Sequence, residues 1–228
     1  MELRTVTSEP IGLMLSGGLD SAVLLSFLLN RGHRVQPFYV NTGCRWESVE
    51  LSAADRLICA LDTNQIDPLV TLDMPADDLY GEHWSTTGDC VPGADSCDSA
   101  VQLPARNPLL LLKPLIWCGQ HGVAKLAIAT LFDNPFDDAT PEFFDLFQAS
   151  ITVGTGAAVE ILRPFENLTK AEVLEHETEL PLHLTFSCLA PQNGMHCGDC
   201  NKCAERARSL QSLPFGDPTA YARGVATT

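Results

Sequence analysis

The chain has 228 residues, 45% of them apolar, and a formal charge of −15 from 29 acidic and 14 basic side chains. This composition supports a full hydrophobic core and excludes a mainly disordered chain. It also argues against a protein that coats nucleic acid, whose phosphate contacts call for a basic surface.

No apolar stretch is long enough to span a bilayer, and Met1–Pro10 carries no apolar signal region, so the expected compartment is the cytoplasm, with no membrane partner. Strand and helix patterns then alternate along the chain. "IGLML" (Ile11–Leu15) reads as a short buried strand, and Ser21–Asn30 as a mostly apolar helix stopped near Gly32. Arg34–Asn41 reads as a strand, Glu47–Leu61 as a helix and Ile66–Met74 as a third strand. Pro75–Pro104, rich in Gly, Asp and Ser, reads as a long functional loop such as a lid or flap. Asn107–His121 is an apolar helix followed by Gly122, and Ala124–Phe132 is a strand. Pro141 to about Ile151 is a helix with Phe143, Phe144 and Phe147 as its packing stripe, and Val159–Phe165 is the fifth strand. Thr169 and Glu172 have capping-box spacing and open a helix to about Leu180; Asn201–Gln211 is the closing helix. Strands separated by helices at this spacing imply parallel pairing with right-handed crossovers. The expected fold class is α/β, a doubly wound parallel sheet of about five strands over residues 1–184. A small four-cysteine zinc-binding module with its closing helix would occupy residues 185–228.

Ser16-Gly17-Gly18 joins the first strand to the first helix, with Asp20 and Ser21 at the helix start. Backbone N–H groups there lack intrahelical partners, and the helix dipole adds partial positive charge. Glycines without Cβ let a ligand approach the backbone, and Ser16 and Ser21 add hydroxyls, so the turn reads as an anion nest. The lysine of a Walker P-loop is absent, and so is the dinucleotide GxGxxG pattern. A glycine turn with no ligand is the alternative.

Nine cysteines are present, and Cys188, Cys197, Cys200 and Cys203 are spaced C-x8-C-x2-C-x2-C. Four thiolates at this spacing suit a tetrahedral structural Zn²⁺, one per chain, with an iron–sulfur cluster as the alternative. His196 is a rival ligand or a surface neighbour. Cys44, Cys59, Cys90, Cys97 and Cys118 are scattered and read as small buried hydrophobes.

"LSGGLDSAVLL" resembles the pyrophosphate loop of the PP-loop ATP pyrophosphatase superfamily. Together with the late cysteines, "LPARNPLLL", "TPEFF", "LTKAEV", "CGDCNKCAERARSL" and "DPTAYA", it resembles the 7-cyano-7-deazaguanine synthase family over almost the whole chain. The resemblance implies an adenine nucleotide alpha hydrolase-like fold. It also implies a carbon–nitrogen ligase that uses ATP with Mg²⁺, ammonia and a small-molecule carboxylate, 7-carboxy-7-deazaguanine. An acyl-adenylate and an amide would lead to the nitrile, a precursor of queuosine and archaeosine. Leu15, Ser16, Gly17, Gly18, Leu19, Asp20 and Ser21 would hold the pyrophosphate end, and Asp20 and Lys170 would serve catalysis. Lys170 could instead be a surface lysine. Arg45, Trp46, Arg106, Asn107, Asp133 and Asp138 would face the substrate. Alternatively, Trp46 is core, Asn107 caps its helix, and Asp133, Asp137 and Asp138 form an exposed acidic loop. A homodimer is also implied. "YVNTGCRWESVEL" and "LFDNPFDDATPEF" depart from the family pattern. They keep two other readings open, a ligase that stops at an amide of another acceptor and a non-catalytic nucleotide or zinc module.

Overall fold

The computed structural model describes residues 9–175, 180–211, 213–214 and 216–225. Its elements run β1 (Ile11–Met14), α1 (Leu19–Asn30), β2 (Val35–Asn41), α2 (Glu47–Leu61), β3 (Val70–Asp73), α3 (Asp77–Tyr80) and α4 (Trp84–Thr87). They continue with α5 (Arg106–His121), β4 (Lys125–Ala127), α6 (Pro141–Thr155), β5 (Glu160–Leu162), α7 (Lys170–Glu175) and α8 (Asn201–Gln211). The five strands form one parallel sheet in the order β3-β2-β1-β4-β5, with Leu13 of β1 between Pro37 of β2 and Ala127 of β4. The chain winds outward from β1 to β3, then crosses back to β4. The sheet therefore reverses direction beside β1, and in such sheets ligands bind beyond the strand C-termini at the reversal.

The apolar character of β1 and α1 follows from two-sided burial. All residues of β1 are buried, as expected for a strand covered on both faces. On one face Leu13, Leu24, Leu25, Leu57, Phe165 and Val173 make one core, which Leu210 of α8 joins. On the opposite face Phe38, Leu111, Leu115, Leu126 and Phe144 make a second core with α5 and α6. A third cluster gathers Trp46, Phe186 and the late cysteines.

Several boundaries differ from the sequence expectation for identifiable reasons. The third strand shrinks to Val70–Asp73 because Pro68, which has no N–H to give, interrupts the ladder after the isolated bridge between Val35 and Ile66. The fourth strand ends at Ala127, where the chain leaves the sheet at the reversal. Pro75–Pro104 is not a free lid. It contains α3, α4 and a 3₁₀ turn at Asp98–Val101, and it is strapped to the cysteine segment. There the Asn201 N–H donates to Pro92 O at 2.9 Å, Asn201 Nδ2 to Ser96 O at 2.8 Å, and Gly93 bridges Cys200. The capping box opens α7 as expected: Glu172 Oε2 accepts the Thr169 N–H at 2.8 Å and Thr169 Oγ1 accepts the Glu172 N–H at 3.4 Å. The expected continuation of that helix over residues 176–179, and Met1–Ser8, lie outside the described residues. Among the described residues no helix is long and apolar enough to cross a membrane.

Candidate active site

Beyond β1, the Leu15 N–H donates to Phe38 O at 2.9 Å and the chain turns through Ser16-Gly17-Gly18. Gly17 has φ +76°, and a Cβ there would lie 2.7 Å from Glu50 O and 3.0 Å from Ala54 N. Its missing side chain therefore lets α2 lie against the turn. This differs from the expectation that both glycines serve ligand approach. Gly18 caps α1 in an extended conformation without a side-chain cap. The first intrahelical donor after it is Ala22 N–H to Gly18 O, so the N–H groups ahead of it point out of the helix. Ser16 Oγ accepts the Gly18 N–H at 3.3 Å and lies 3.1 Å from Ser21 Oγ, which closes the turn around those donors. Gly17 O accepts the Phe186 N–H at 2.8 Å and ties the turn to the cysteine segment.

Three adjoining clefts open here, and Asp20 borders all of them. The first, about 260 Å³, is walled by Trp46, Trp84, Leu103, Arg106 and Phe186. The second, about 270 Å³, lies between Phe38, Tyr39, Val40, Leu110 and Ile128. The third, about 300 Å³, is bordered by Asp133, Phe136, Lys170, Lys202 and Arg208. An ion-pair chain runs between them. Lys170 Nζ stands 2.9 Å from Asp20 Oδ2 and 2.8 Å from Glu205 Oε1, and Lys202 Nζ stands 2.5 Å from Glu205 Oε2. Burial alone would lower the Lys170 pKa, but Asp20 and Glu205 outweigh it and hold the ammonium charged. Burial would raise the Glu205 pKa, and the two lysines bring it down to about 2. Asp20 Oδ1 is buried with no hydrogen-bond partner among the described residues. A buried acceptor left in that state costs about 1–3 kcal/mol, which a bound cation would offset.

The expected substrate residues separate into two groups. Trp46, Arg106 and Asp133 border the clefts. Trp46 is only 3% exposed and stacks on Trp84 at 5.8 Å and 19°, so its ring faces a second indole as core, and half-buried Trp84 is the more open of the two. Arg106 donates to Cys44 Sγ at 3.4 Å; burial lowers its pKa, but Cys44, Glu50 and Glu47 outweigh it, so the net shift is upward. Arg45, Asn107 and Asp138 line none of the three clefts. Arg45 donates to Thr87 O at 2.5 Å. Asp138 Oδ2 accepts the Asn107 N–H at 2.9 Å and so caps α5 from outside, because Ala105 at its N-cap has no side chain to do it.

Sγ atoms of Cys188, Cys197, Cys200 and Cys203 lie within 4.8 Å of one another, all buried, a group that could hold a metal ion. Backbone N–H groups of Cys197 and Ala190 point at Cys188 Sγ, that of Leu189 at Cys200 Sγ and that of Asp199 at Cys197 Sγ, as suits thiolates. His196 is not a surface neighbour. It is 5% exposed, its Nε2 accepts the Ser187 N–H at 3.1 Å, and its ring packs on Phe186. Of the scattered cysteines, Cys44 and Cys118 are buried as expected, whereas Cys59, Cys90 and Cys97 are exposed.

Sequence reasoning missed Tyr39, Glu50, Trp84, Lys202 and Glu205. Lys202 and Glu205 carried a signal, an i, i+3 charge pair on the closing helix. Glu50 carried none, because only the packing of α2 on Gly17 brings it to the clefts.

The family described as "Queuosine biosynthesis protein QueC" matches residues 11–214. The chain belongs to this family. It is 30% identical over 204 residues to 7-cyano-7-deazaguanine synthase 1 of Desulfitobacterium hafniense (strain Y51), covering 87% of this chain and 90% of that one. To the 7-cyano-7-deazaguanine synthase of Legionella pneumophila (strain Corby) it is 32% identical over 225 residues, with 93% and 96% covered. The family span includes the turn, Asp20, Lys170, Glu205 and all four late cysteines.

Two glycines with similar positive φ but different surroundings, Gly17 and Gly122, give a direct check on the turn. Gly122, at φ +72°, has nothing within 4 Å of a Cβ position. Gly122→Ala should cost roughly 1–2 kcal/mol, from backbone conformation alone. Gly17→Ala adds a collision with the α2 backbone and should lower the thermal midpoint by clearly more. Equal midpoint shifts would contradict the packing described for the turn.

Proposed function

We propose that this chain is an ATP-dependent ligase that converts 7-carboxy-7-deazaguanine and ammonia to 7-cyano-7-deazaguanine. One observation carries the reading: the N-terminus of α1, the Asp20–Lys170–Glu205–Lys202 chain and the aromatic first cleft border one continuous space. Membership of the QueC family and the names of its relatives support an enzyme of queuosine precursor synthesis.

In this reading the second cleft takes the adenosine between Phe38–Val40 and Ile128, and the triphosphate lies along Ser16–Ser21. The deazapurine enters the first cleft against Trp84. A carboxylate oxygen attacks the α-phosphorus, the bond to the β-phosphate oxygen breaks, and pyrophosphate leaves. Ammonia then attacks the acyl carbon and displaces AMP, giving the amide. The amide oxygen attacks a second ATP in the same way, and loss of a second AMP leaves the nitrile. Lys170 and Lys202 are placed to neutralise the departing pyrophosphate, and the α1 N–H groups to bind its oxygens. Asp20, with its unpartnered Oδ1, would hold Mg²⁺, which when bound neutralises phosphate charge. Catalysis is then chiefly positioning and charge stabilisation.

Cys188, Cys197, Cys200 and Cys203 would hold Zn²⁺ in a structural role. A tetrahedral zinc with bonds of about 2.3 Å separates its sulfurs by about 3.8 Å. The Cys197–Cys203 and Cys200–Cys188 sulfur pairs stand at 3.8 and 4.0 Å. The site ends the segment that Phe186 ties to Gly17, so the metal would steady the wall of the first cleft.

Incubation of the purified protein with the carboxylate, ATP, Mg²⁺ and ammonia should give a product with the mass of the nitrile, together with AMP and pyrophosphate. An amide as final product, or AMP only with another carboxylate, would move the assignment to a different acceptor. No AMP with any carboxylate would reject the enzymatic reading. Purified protein should also contain about one zinc per chain. Cys200→Ser should lose zinc and melt at lower temperature, because metal binding contributes to folding. An undiminished melting temperature in the zinc-free variant would contradict the structural role.

A further inference from the structure

Nitrile synthesis strips protons from nitrogen, and no residue assigned so far accepts them. Nitrogen arrives as ammonium and ends in a nitrile with no hydrogen left. A base must therefore stand where the acceptor meets the α-phosphate, at the border shared by the first and second clefts. Ser16, Gly18, Asp20, Glu50 and Arg106 are the residues common to both walls. Asp20 is committed through Oδ2 to Lys170, and its unpartnered Oδ1 is the oxygen that would hold Mg²⁺ in the proposed reaction. Arg106 keeps its proton throughout, and a serine hydroxyl is too weakly basic. Glu50 is left.

On the basis of the proposed ligase reaction, we propose that Glu50 is the catalytic base that takes the protons from the attacking nitrogen. Its placement is fixed from two sides. The α2 backbone at Glu50 lies against Gly17, and Oε2 accepts the Tyr39 hydroxyl at 3.1 Å. Tyr39 comes from β2, Arg106 from α5, and Glu47 and Trp46 from α2 and its cap; these groups face the carboxylate. Burial raises its pKa and Glu47 adds to the rise, while Arg106, Tyr39 and Trp46 lower it, with a net value of about 7. A base with that affinity is about half ionised at neutral pH, where it both offers a carboxylate and accepts a proton readily.

In the first half, an N–H bond of ammonium breaks and its proton goes to the Glu50 carboxylate. The freed nitrogen lone pair forms the C–N bond, the –NH3⁺ of the adduct gives a second proton to Glu50 once the first has passed to solvent, and AMP leaves with the former carboxylate oxygen. In the second half, Glu50 takes the two N–H protons of the O-adenylated amide in turn, the first leaving the neutral imidate and the second leaving nitrogen with a free electron pair. That electron pair becomes the third C–N bond, the C–O bond breaks, and AMP leaves. After each transfer the proton passes to solvent, so one carboxylate serves all four.

The second half can be assayed alone, from the carboxamide and ATP, which removes the pH dependence of free ammonia. Nitrile formation by the unaltered protein should fall below an apparent pKa near 7, because the base is protonated there. Glu50→Gln preserves shape and an acceptor for Tyr39. It should lower nitrile formation at pH 8 by on the order of 10²–10⁴-fold and abolish the acidic limb. Single-turnover pyrophosphate release from the carboxylate and ATP, with no ammonia present, should stay unchanged in that variant. Tyr39→Phe removes a bond that favours the carboxylate and should move the limb to higher pH. Wild-type nitrile rates in Glu50→Gln, survival of its acidic limb, or equal loss of pyrophosphate release would overturn the assignment. No pyrophosphate from the unaltered protein with the carboxylate would overturn the functional reading itself, and this assignment with it.

Discussion

A side chain cannot be accommodated at Gly17, and three parts of the structure meet on that restriction. Its positive φ turns the chain from β1 into α1, and its bare Cα admits the α2 backbone at a distance no Cβ tolerates. Its carbonyl accepts the Phe186 N–H and so holds the start of the cysteine segment. The free N–H groups of α1, the Glu50 side chain and the wall built on Cys188 all take their places from this one residue. Gly17 is occupied with admitting a helix, and of the two glycines Gly18 is the one on the cleft walls.

Charge in the clefts follows a different logic from charge on the whole chain. A protein with a net charge of −15 must still bind a polyanion in the proposed reaction. Lys170 and Lys202 supply local positive charge, but each is paired with Asp20 or Glu205. Pairing keeps a half-buried ammonium from standing alone, which would cost several kcal/mol. It also fixes the lysines in place, so a phosphate meets donors whose orientation is already set. Asp20 serves both sides of this arrangement, one oxygen on Lys170 and the other without a partner.

Much of the fold was legible because its signals are local. Apolar runs ending near glycines marked β1, α1 and α5, and the alternation of strand and helix patterns implied the parallel sheet. The cysteine spacing pointed to a cluster that the structure brings together. What escaped depends on distant contacts. Pro75–Pro104 looked like a free loop because its anchors, Cys200 and Asn201, lie about a hundred positions away. Trp46 looked open to a ligand until Trp84 covered its face. Asn107 and Asp138 looked like substrate contacts, yet they bond to each other because Ala105 leaves a helix end uncapped. Glu50 carried no local mark, because its partner Tyr39 comes from β2, and Glu205 gains Lys170 only where α7 meets α8.

Oxygen transfer offers the most direct test of the proposed chemistry. Both carboxylate oxygens should leave on phosphorus, one in each AMP, because each activation joins a substrate oxygen to an α-phosphate. With the carboxyl group of 7-carboxy-7-deazaguanine labelled with ¹⁸O, mass spectrometry of the AMP should find one label in every molecule formed, in both halves of the reaction. Unlabelled AMP, or label recovered in pyrophosphate or inorganic phosphate, would contradict activation at the α-phosphate.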